Sequence, residues 1–482
     1  MIHLIKTLAT SFFILLSIFA QAQNDSATKF LDTLQFHPID SSAKMKIRDI
    51  IVSGNRITKN YLVLREIPFK VNDSIAPQNF AKEFEQARQL VYNTTLFNEV
   101  KLTPHYISQV EVDILVEVKE RWYIYPIPQF QLVDRNLNEW LKTHNANLNR
   151  VNYGIKFVDY NLSGRRDKLQ VYLLNGYSKN VSVAYSAPYS NKDLSEGFTI
   201  AAGFSQNREI PYKTSYNNQI LLFKQNDFVR KNWSAGAGYI IRRGYFVRHF
   251  FNISYSHSSI NDSVIQEKYN PNYFKKPVNK IGITDFSYTV QYTKVDNSTY
   301  PLQGKFAYLF ISKRGLTLSS GLDMLAVEAG ANRYWNLGKK WYSSIQFNTK
   351  IKLPFDQAYI NQRGLGYGET YLRGLEYYVI DGVATALLKS TLKKKILYFS
   401  IPFPIKSKSH PKIPFTIFAK TYADAGYAYN LKKFNTFLNN KLLYTGGFGI
   451  DIFTLYDVNL RLEYSFNQLN QKGLFLHSQS AF

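Results

Sequence analysis

The sequence contains no cysteine among its 482 residues. This absence excludes disulfide bonds, thiolate metal sites, cysteine nucleophiles and a lipid-modified N-terminal cysteine. Beyond its N-terminus, the chain also lacks any run close to the roughly 18 to 20 apolar residues that a membrane helix requires. Stability must therefore come from packing and backbone hydrogen bonds, and crossing a membrane would require strands.

Acidic residues are scarce as well. The chain has 35 Asp and Glu against 59 Lys and Arg, which gives a formal net charge of +24. The basic residues are spread in ones and twos, with Lys393–Lys395 the only triple. This pattern is more typical of solvated lumen and loop charges than of a dedicated binding patch. Because an exported chain meets no nucleic acid in its ordinary work, we expect outer-membrane lipids as the anionic partner and no nucleic acid.

The N-terminus has the layout of a cleaved secretory signal. Lys6 precedes an apolar run from Leu8 to Phe19, and the small-x-small sequence Ala20-Gln21-Ala22 follows it. A retained anchor is the alternative, but the run is short for a membrane span. We predict a signal peptide over residues 1–22 and a polar linker over residues 23–44.

Residues 45–120 predict one compact α/β domain with the order strand, helix, helix, strand, strand. Thr58 is expected to cap a short helix that runs through Arg65. Pro77 is placed to open the second helix, because proline is tolerated in the first helical turn. The last strand alternates apolar and polar residues over Val110–Val118, so one face of the small sheet should form a core.

Residues 121–482 predict a transmembrane antiparallel β-barrel. They show no convincing helix, only segments of about ten residues that alternate apolar with polar and end in turn residues. Aromatic residues reach 16%, with 36 Tyr and 35 Phe, and the mean hydropathy of −0.26 fits strands that hide their apolar residues in alternation. The length allows about sixteen strands. A soluble β-sandwich or propeller is the alternative.

The sequence shows little sign of catalytic chemistry. Its eight histidines are scattered, and none forms the short spacing of a metal site. His249 and His257 lie eight residues apart, at predicted strand or loop positions. The sequence contains no Gly-x-Ser-x-Gly nucleophile elbow. We therefore predict that the protein is not an enzyme and has no catalytic residues, no cofactor and no metal site.

Several short tracts resemble the BamA/TamA superfamily of outer-membrane assembly and translocation proteins. The small domain resembles a single POTRA domain, and the barrel region carries further tracts of the superfamily. The tracts are Val52-Ser53-Gly54-Asn55, Tyr92-Asn93-Thr94-Thr95-Leu96-Phe97-Asn98-Glu99-Val100, Val116-Glu117-Val118-Lys119-Glu120-Arg121, Asn161-Leu162-Ser163-Gly164-Arg165, Tyr185-Ser186-Ala187-Pro188-Tyr189, Tyr300-Pro301-Leu302-Gln303-Gly304, Tyr371-Leu372-Arg373-Gly374-Leu375 and Ala423-Asp424-Ala425-Gly426. The resemblance implies a barrel in the outer membrane with the POTRA domain in the periplasm.

The tract around Arg373 and Gly374 resembles the extracellular loop that folds into the barrel in this superfamily. There, the arginine docks on acidic residues of the barrel wall, and Asp424 is the matching carboxylate here. A guanidinium in a carboxylate fork is a strong contact, which a long loop needs to offset its ordering entropy. The chain departs from the pattern at Leu375, where an aromatic is usual, and at residues 390–393, where a second wall glutamate is often found.

The resemblance also implies a seam between the first and last barrel strands that opens toward client strands. The predicted first strand contains Pro126 and Pro128, which cannot donate hydrogen bonds to a neighbouring strand. They either loosen the seam or lie in the connector from the POTRA domain, and the sequence favours neither. The predicted seam residues are Gln131, Phe475 and the terminal Phe482.

The implied function is assembly or insertion of other outer-membrane proteins, with nascent outer-membrane or secreted polypeptides as clients. The resemblance also allows for periplasmic accessory proteins. One POTRA domain is fewer than the housekeeping assembly proteins of the superfamily carry. A dedicated polypeptide secretion pore of the two-partner type and a passive porin are the alternatives.

Overall fold

A computed structural model describes residues 44–132, 145, 147–316, 322–403 and 412–479. The predicted signal peptide, nearly all of the predicted linker, and Phe482 lie outside the described residues. Among the described residues, no helix has the length and apolar character needed to cross a bilayer.

The N-terminal domain has two helices packed on a four-stranded sheet. Its elements are β1 (Met45–Ser53), α1 (Asn60–Glu66), β2 (Ser74–Ile75), a 3-10 turn (Pro77–Asn79), α2 (Phe80–Tyr92), β3 (Phe97–Tyr106) and β4 (Glu111–Glu120). The sheet order is β2-β1-β4-β3, with β1 parallel to β4 and the other pairs antiparallel. Strand β3 therefore forms an edge of the sheet.

The core of this domain follows from the sequence pattern. Val112, Ile114 and Val116 of β4 are fully buried, as strict alternation on a half-covered sheet requires. Phe80 and Phe84 come from one face of α2 and stack at 5.2 Å between ring centroids. The domain thus has its own hydrophobic core.

The expected cap at Thr58 is wrong. Helix α1 begins at Asn60, and Lys59 at its N-terminus makes no side-chain capping hydrogen bond. The Thr58 hydroxyl instead lies 3.0 Å from the Tyr123 hydroxyl and accepts a hydrogen bond from Asn161 at 2.9 Å. Because both partners are distant in sequence, tertiary contacts decide the position of this side chain.

The rest of the described chain forms a sixteen-stranded antiparallel sheet, which confirms the predicted barrel and its strand number. Its strands are β5 (Ile124–Leu132), β6 (Val151–Asp159), β7 (Lys168–Gly176), β8 (Lys179–Ala187), β9 (Glu196–Asn207), β12 (Arg230–Arg243), β13 (Val247–Ile260), β14 (Lys280–Val295), β15 (Gly304–Arg314), β16 (Met324–Gly338), β17 (Trp341–Leu353), β20 (Ala384–Pro402), β21 (Lys412–Tyr429), β22 (Leu442–Thr454), β23 (Asn459–Asn467) and β24 (Lys472–Gln479). Two small hairpins, β10–β11 (Glu209–Thr214 and Ile220–Lys224) and β18–β19 (Arg363–Leu365 and Ile380–Asp381), lie in the connections.

The two ends of the barrel differ. The N-terminal domain contacts short turns at one end, which is the end that the resemblance assigns to the periplasm and is called the periplasmic end below. Longer connections pack together at the other end around a separate apolar core that includes Phe223, Tyr273 and Phe274. The longest described connection, residues 354–383 between β17 and β20, is called the inward loop below.

Candidate functional site: the inward loop, the POTRA contact and the strand edges

Arg373 of the inward loop contacts the inner wall of the barrel. Its Nη2 lies 2.5 Å from Asp424 Oδ1, and its Nε lies 2.9 Å from Asp424 Oδ2. The other Nη donates to the Thr391 hydroxyl at 3.0 Å, and the guanidinium lies 3.9 Å from the centroid of the Tyr422 ring. Both charged side chains are buried, so the structure brings together the arginine and carboxylate that the sequence predicted as partners.

The backbone next to Arg373 is held equally closely. Gly374 has φ +95°, a conformation that favours glycine, and a Cβ at this position would lie 2.8 Å from the Ser465 Cβ. Its N–H donates to Glu376 at 2.6 Å, and its carbonyl accepts from Asn467 at 2.8 Å. The turn therefore requires glycine for both its conformation and its close approach to β23.

A network of buried charges continues along the wall toward the periplasm. Lys420 lies 2.5 Å from Asp451 and 2.6 Å from Glu463, and all three side chains are almost fully buried. Lys393 also approaches Asp451, at 3.2 Å. Glu463 reaches within 4.0 Å of Arg373, so a second carboxylate joins the predicted contact from β23. Sequence reasoning missed this network.

Glu463 also belongs to a second group that spacing did not reveal. Glu376 of the inward loop, Glu463 of β23 and His477 of β24 place one potential ligand atom each within 4.8 Å of one another. The His477 Nε2 lies 3.4 Å from Glu376 and 3.5 Å from Glu463. These three side chains could hold a metal ion, and they join the loop to the last two strands.

The POTRA domain docks on the periplasmic turns through a buried ion pair. Glu66 at the end of α1 accepts hydrogen bonds from both Nη atoms of Arg242, at 2.5 and 2.6 Å. Burial is the largest single influence on this carboxyl and raises its pKa. The hydrogen bonds and charge of Arg242, together with the charges of Arg166 and Arg65, outweigh burial and hold the pKa of Glu66 below its ordinary value of 4.5. Arg242 lies at the periplasmic end of β12, so this contact fixes the helix to the wall.

A second ion pair joins the segment before the first barrel strand to the turn between β22 and β23. Arg121 lies just before β5, and Asp457 lies in the turn between β22 and β23, yet their side chains meet at 2.8 Å and are both buried. Tyr92 of the POTRA domain donates to the same carboxylate at 3.2 Å. The segment just before β5 and the turn between β22 and β23 therefore meet at the periplasmic end, beside the POTRA domain.

Strands β5 and β24 are the two ends of the sixteen-stranded sheet. Every neighbouring pair in the sheet shares a backbone ladder, but within the described residues none joins β5 to β24. Gln131 lies near the extracellular end of β5, and Phe475 lies near the middle of β24. Each strand therefore presents a free edge where the sequence analysis placed the seam.

The two prolines lie within β5 rather than in the connector. The Tyr160 N–H donates to the Tyr123 carbonyl at 3.0 Å, and the register continues from this pair along β5 and β6. Along an antiparallel strand, the backbone N–H and C=O groups of successive residues point alternately to one neighbour and the other. The backbone groups of odd-numbered residues of β5 therefore point to β6, and those of even-numbered residues point to the free edge. Proline has no backbone N–H, so this edge lacks hydrogen-bond donors at Pro126 and at Pro128, two successive positions along it.

Comparisons with known proteins agree with this architecture. The model of the POTRA family, described as "Surface antigen variable number repeat", matches residues 45–121. Outer membrane protein assembly factor BamA of Neorickettsia risticii (strain Illinois) is 29% identical over 180 residues, which are 36% of this chain and 20% of that protein. The match thus spans about a fifth of the length of this curated relative.

Solved structures match over most of the chain. The crystal structure of BamA from Haemophilus ducreyi lacking POTRA domains 1–3 aligns with a TM-score of 0.50 at 15% identity, covering 90% of this chain and 84% of that one. CdiB from Escherichia coli aligns with a TM-score of 0.49 at 10% identity, covering 95% and 92% of the two chains. The first of these matches supports the fold.

The fold and the matches define the class of protein: a POTRA domain followed by an outer-membrane β-barrel. The predicted resemblance to the BamA/TamA superfamily is confirmed, and the family match places a POTRA domain at residues 45–121. The barrel lies in the outer membrane and the POTRA domain lies in the periplasm.

Proposed function

We propose that this protein inserts or assembles other outer-membrane proteins by pairing their strands with the free edges of β5 and β24. The absence of a backbone ladder between these strands, within the described residues, carries the proposal. Unpaired backbone groups inside a membrane cost several kcal/mol each, so a free edge at this depth favours pairing with an incoming strand. This role needs no catalytic residue, cofactor or metal.

The POTRA domain would receive clients before insertion. Its edge strand β3 pairs on one side with β4, and no other strand of the domain's sheet lies on its opposite side. An exposed edge can bind an extended peptide through main-chain hydrogen bonds, a mode that tolerates many sequences. Nascent outer-membrane polypeptides have this extended character, which supports them as clients.

The contact between Arg373 and Asp424 would hold the inward loop while the edges exchange partners. The loop lies against β20, β21 and β23, next to the last strand. A buried bidentate ion pair is geometrically specific, so it can keep the loop in one position while neighbouring strands separate. The inward loop is fixed to the inner wall and occupies part of the interior, which argues against a passive porin with an open water-filled channel.

Depletion of the protein followed by quantitative proteomics of purified outer membranes tests the proposal. Assembly predicts a broad fall in β-barrel proteins that is reversed by wild-type protein. Loss of one or a few exported proteins alone would instead support a dedicated secretion pore. An unchanged proteome would contradict both functions.

A further inference from the structure

The barrel encloses a chamber of about 520 Å³ between the POTRA domain and the inward loop. Asn93 and Thr95 line it from the POTRA side, and Glu369 and Tyr371 line it from the loop. Its charged lining is strongly unbalanced, with seven cations against two carboxylates. The cations are Arg166, Arg248, Arg373, Lys389, Lys393, Lys420 and Arg461, and the carboxylates are Glu369 and Asp451.

Some of this positive charge is neutralised by the wall. Arg373 pairs with Asp424, and both Lys393 and Lys420 pair with Asp451. Three further cations of the lining, Arg166, Arg248 and Lys389, lack a carboxylate partner among the described residues. Within the part of the chain that the structure describes, no carboxylate oxygen lies within 4.0 Å of the side-chain nitrogens of Arg166, Arg248 or Lys389.

The excess charge is greatest near the POTRA domain. Arg248 of β13 lies directly opposite Arg242 of β12, and like charges at opposed strand positions repel. Both oxygens of Glu66 accept hydrogen bonds from Arg242, so this carboxylate is already engaged and makes no hydrogen bond to Arg248. Arg166 lines the same cavities as Arg248. The guanidinium groups of Arg166 and Arg248 therefore lie near Glu66, a carboxylate that is already paired with Arg242.

The Arg248 guanidinium has no hydrogen-bond partner among the described residues. Partly buried cations are costly unless an anion or ordered water compensates them. Neutral side chains able to donate or accept hydrogen bonds, Gln291 and Thr293, line the same chamber. Planar guanidinium groups match the oxygens of phosphate better than a point charge does.

We propose that the periplasmic end of this chamber binds a compact phosphate-bearing anion through Arg166 and Arg248. The phosphate comes either from a soluble anion or from the head group of a phosphorylated lipid, since the recognition chemistry is the same. Occupancy would neutralise the wall beside the POTRA contact and stabilise the docked domain.

Calorimetric titration of the full chain, folded in detergent micelles, with inorganic pyrophosphate tests this site. We expect wild-type protein to bind, and R166Q and R248Q each to weaken binding about tenfold, which corresponds to the loss of one charge-assisted hydrogen bond. R333Q is the matched control. Arg333 lies on β16 between Asn332 and Tyr334, which line the chamber, so alternation places it on the outer face of the barrel.

A second titration distinguishes the two sources of phosphate. Phosphatidic acid in the micelles, compared with phosphatidylcholine, would compete with pyrophosphate if a lipid head group reaches the site. Absence of competition would indicate a soluble anion, and both results support a phosphate site. Failure of the wild type to bind pyrophosphate, or equal weakening in R333Q and R248Q, would overturn the proposal. Heat-modifiable electrophoretic mobility verifies that each variant is folded.

Discussion

Arg373 combines charge, hydrogen bonding and ring contact in one buried side chain. Its guanidinium interacts with Asp424, Thr391 and the face of Tyr422. Asp424 is itself fully buried, so it depends on this arginine for compensation of its charge. The stability of the inward loop should therefore respond strongly to a change at this residue.

We predict that R373A lowers barrel stability by about 3 to 5 kcal/mol, because it leaves the Asp424 carboxylate buried without its partner. R373K should be milder, since lysine keeps the charge but cannot form the bidentate contact. The midpoint temperature of heat-modifiable mobility measures the effect. R363A, at an exposed arginine of the same loop, is the control, and an equal fall there would contradict the prediction.

Glu66 should make docking of the POTRA domain sensitive to acid. Burial raises its pKa, but the hydrogen bonds and charge of Arg242, with the charges of Arg166 and Arg65, together hold the pKa below 4.5 in the folded protein. A lowered carboxyl pKa means that its stabilising contribution is complete above 4.5 and declines as the pH falls through the folded value. We therefore expect docking to loosen below pH 4.5.

Spin labels at Lys82 and Lys339 can measure this loosening, because the natural chain has no cysteine to interfere with labelling. The distribution of distances between the label at Lys82 in the POTRA domain and the label at Lys339 in the turn between β16 and β17 should broaden below pH 4.5. E66Q should show a broad distribution at neutral pH as well. A distribution unaffected by both acid and E66Q would show that other contacts dominate docking.

At the scale of elements, the inward loop is held by backbone geometry as well as by charge. Gly374 has positive φ, and an added methyl group would meet Ser465 of β23. Gly368 in the same loop also has positive φ, at +62°, but an added Cβ there would meet no atom within 4 Å. A substitution at Gly368 therefore tests backbone strain alone, whereas the same substitution at Gly374 adds a steric contact.

We predict that G374A destabilises the folded barrel more than G368A does. Both substitutions cost about 1 to 2 kcal/mol for the left-handed backbone, and G374A adds about 1 to 3 kcal/mol for overpacking against β23. Urea titration followed by tryptophan fluorescence, with both variants in the same lipid vesicles, measures the difference. Equal midpoints would contradict the steric argument.

The sequence predicted elements and one long-range pair, but not the network around that pair. The α/β domain and the barrel follow from helical spacing and strand alternation, and Arg373 and Asp424 lie in tracts that resemble a known superfamily. Lys420 and Glu463 lie in unremarkable alternating segments, and their contact depends on the register of β21, β22 and β23. Alternation predicts which side a residue faces, whereas register requires the folded sheet.

At the scale of the whole molecule, the unpaired edges of β5 and β24 are predicted to lie close enough to be joined. Gln131 follows the exposed Phe130, and Phe475 lies between the exposed Leu474 and Leu476, so alternation should point both side chains into the barrel. We expect Q131C/F475C to form a disulfide upon oxidation. No crosslink at this register or its neighbours, such as Q129C/F475C, would contradict the seam assignment.

The locked pair also separates the proposed function from a purely structural role. If incoming strands use these edges, oxidised Q131C/F475C should fail to support assembly of other barrel proteins, and a reducing agent should restore it. Single-cysteine variants under the same oxidant serve as controls. Full activity of the locked protein would contradict edge pairing as the mechanism.

The prolines of β5 bear on how fast these edges could change partners. Strand β24 keeps its donors at Leu474 and Leu476, whereas β5 has no donor at Pro126 or Pro128. Any strand that joins β5 at these positions, whether β24 or a client, forms fewer bonds that must later break. The activation barrier for leaving β5 is lowered accordingly, so β5 should release its partners rapidly and β24 should retain them longer.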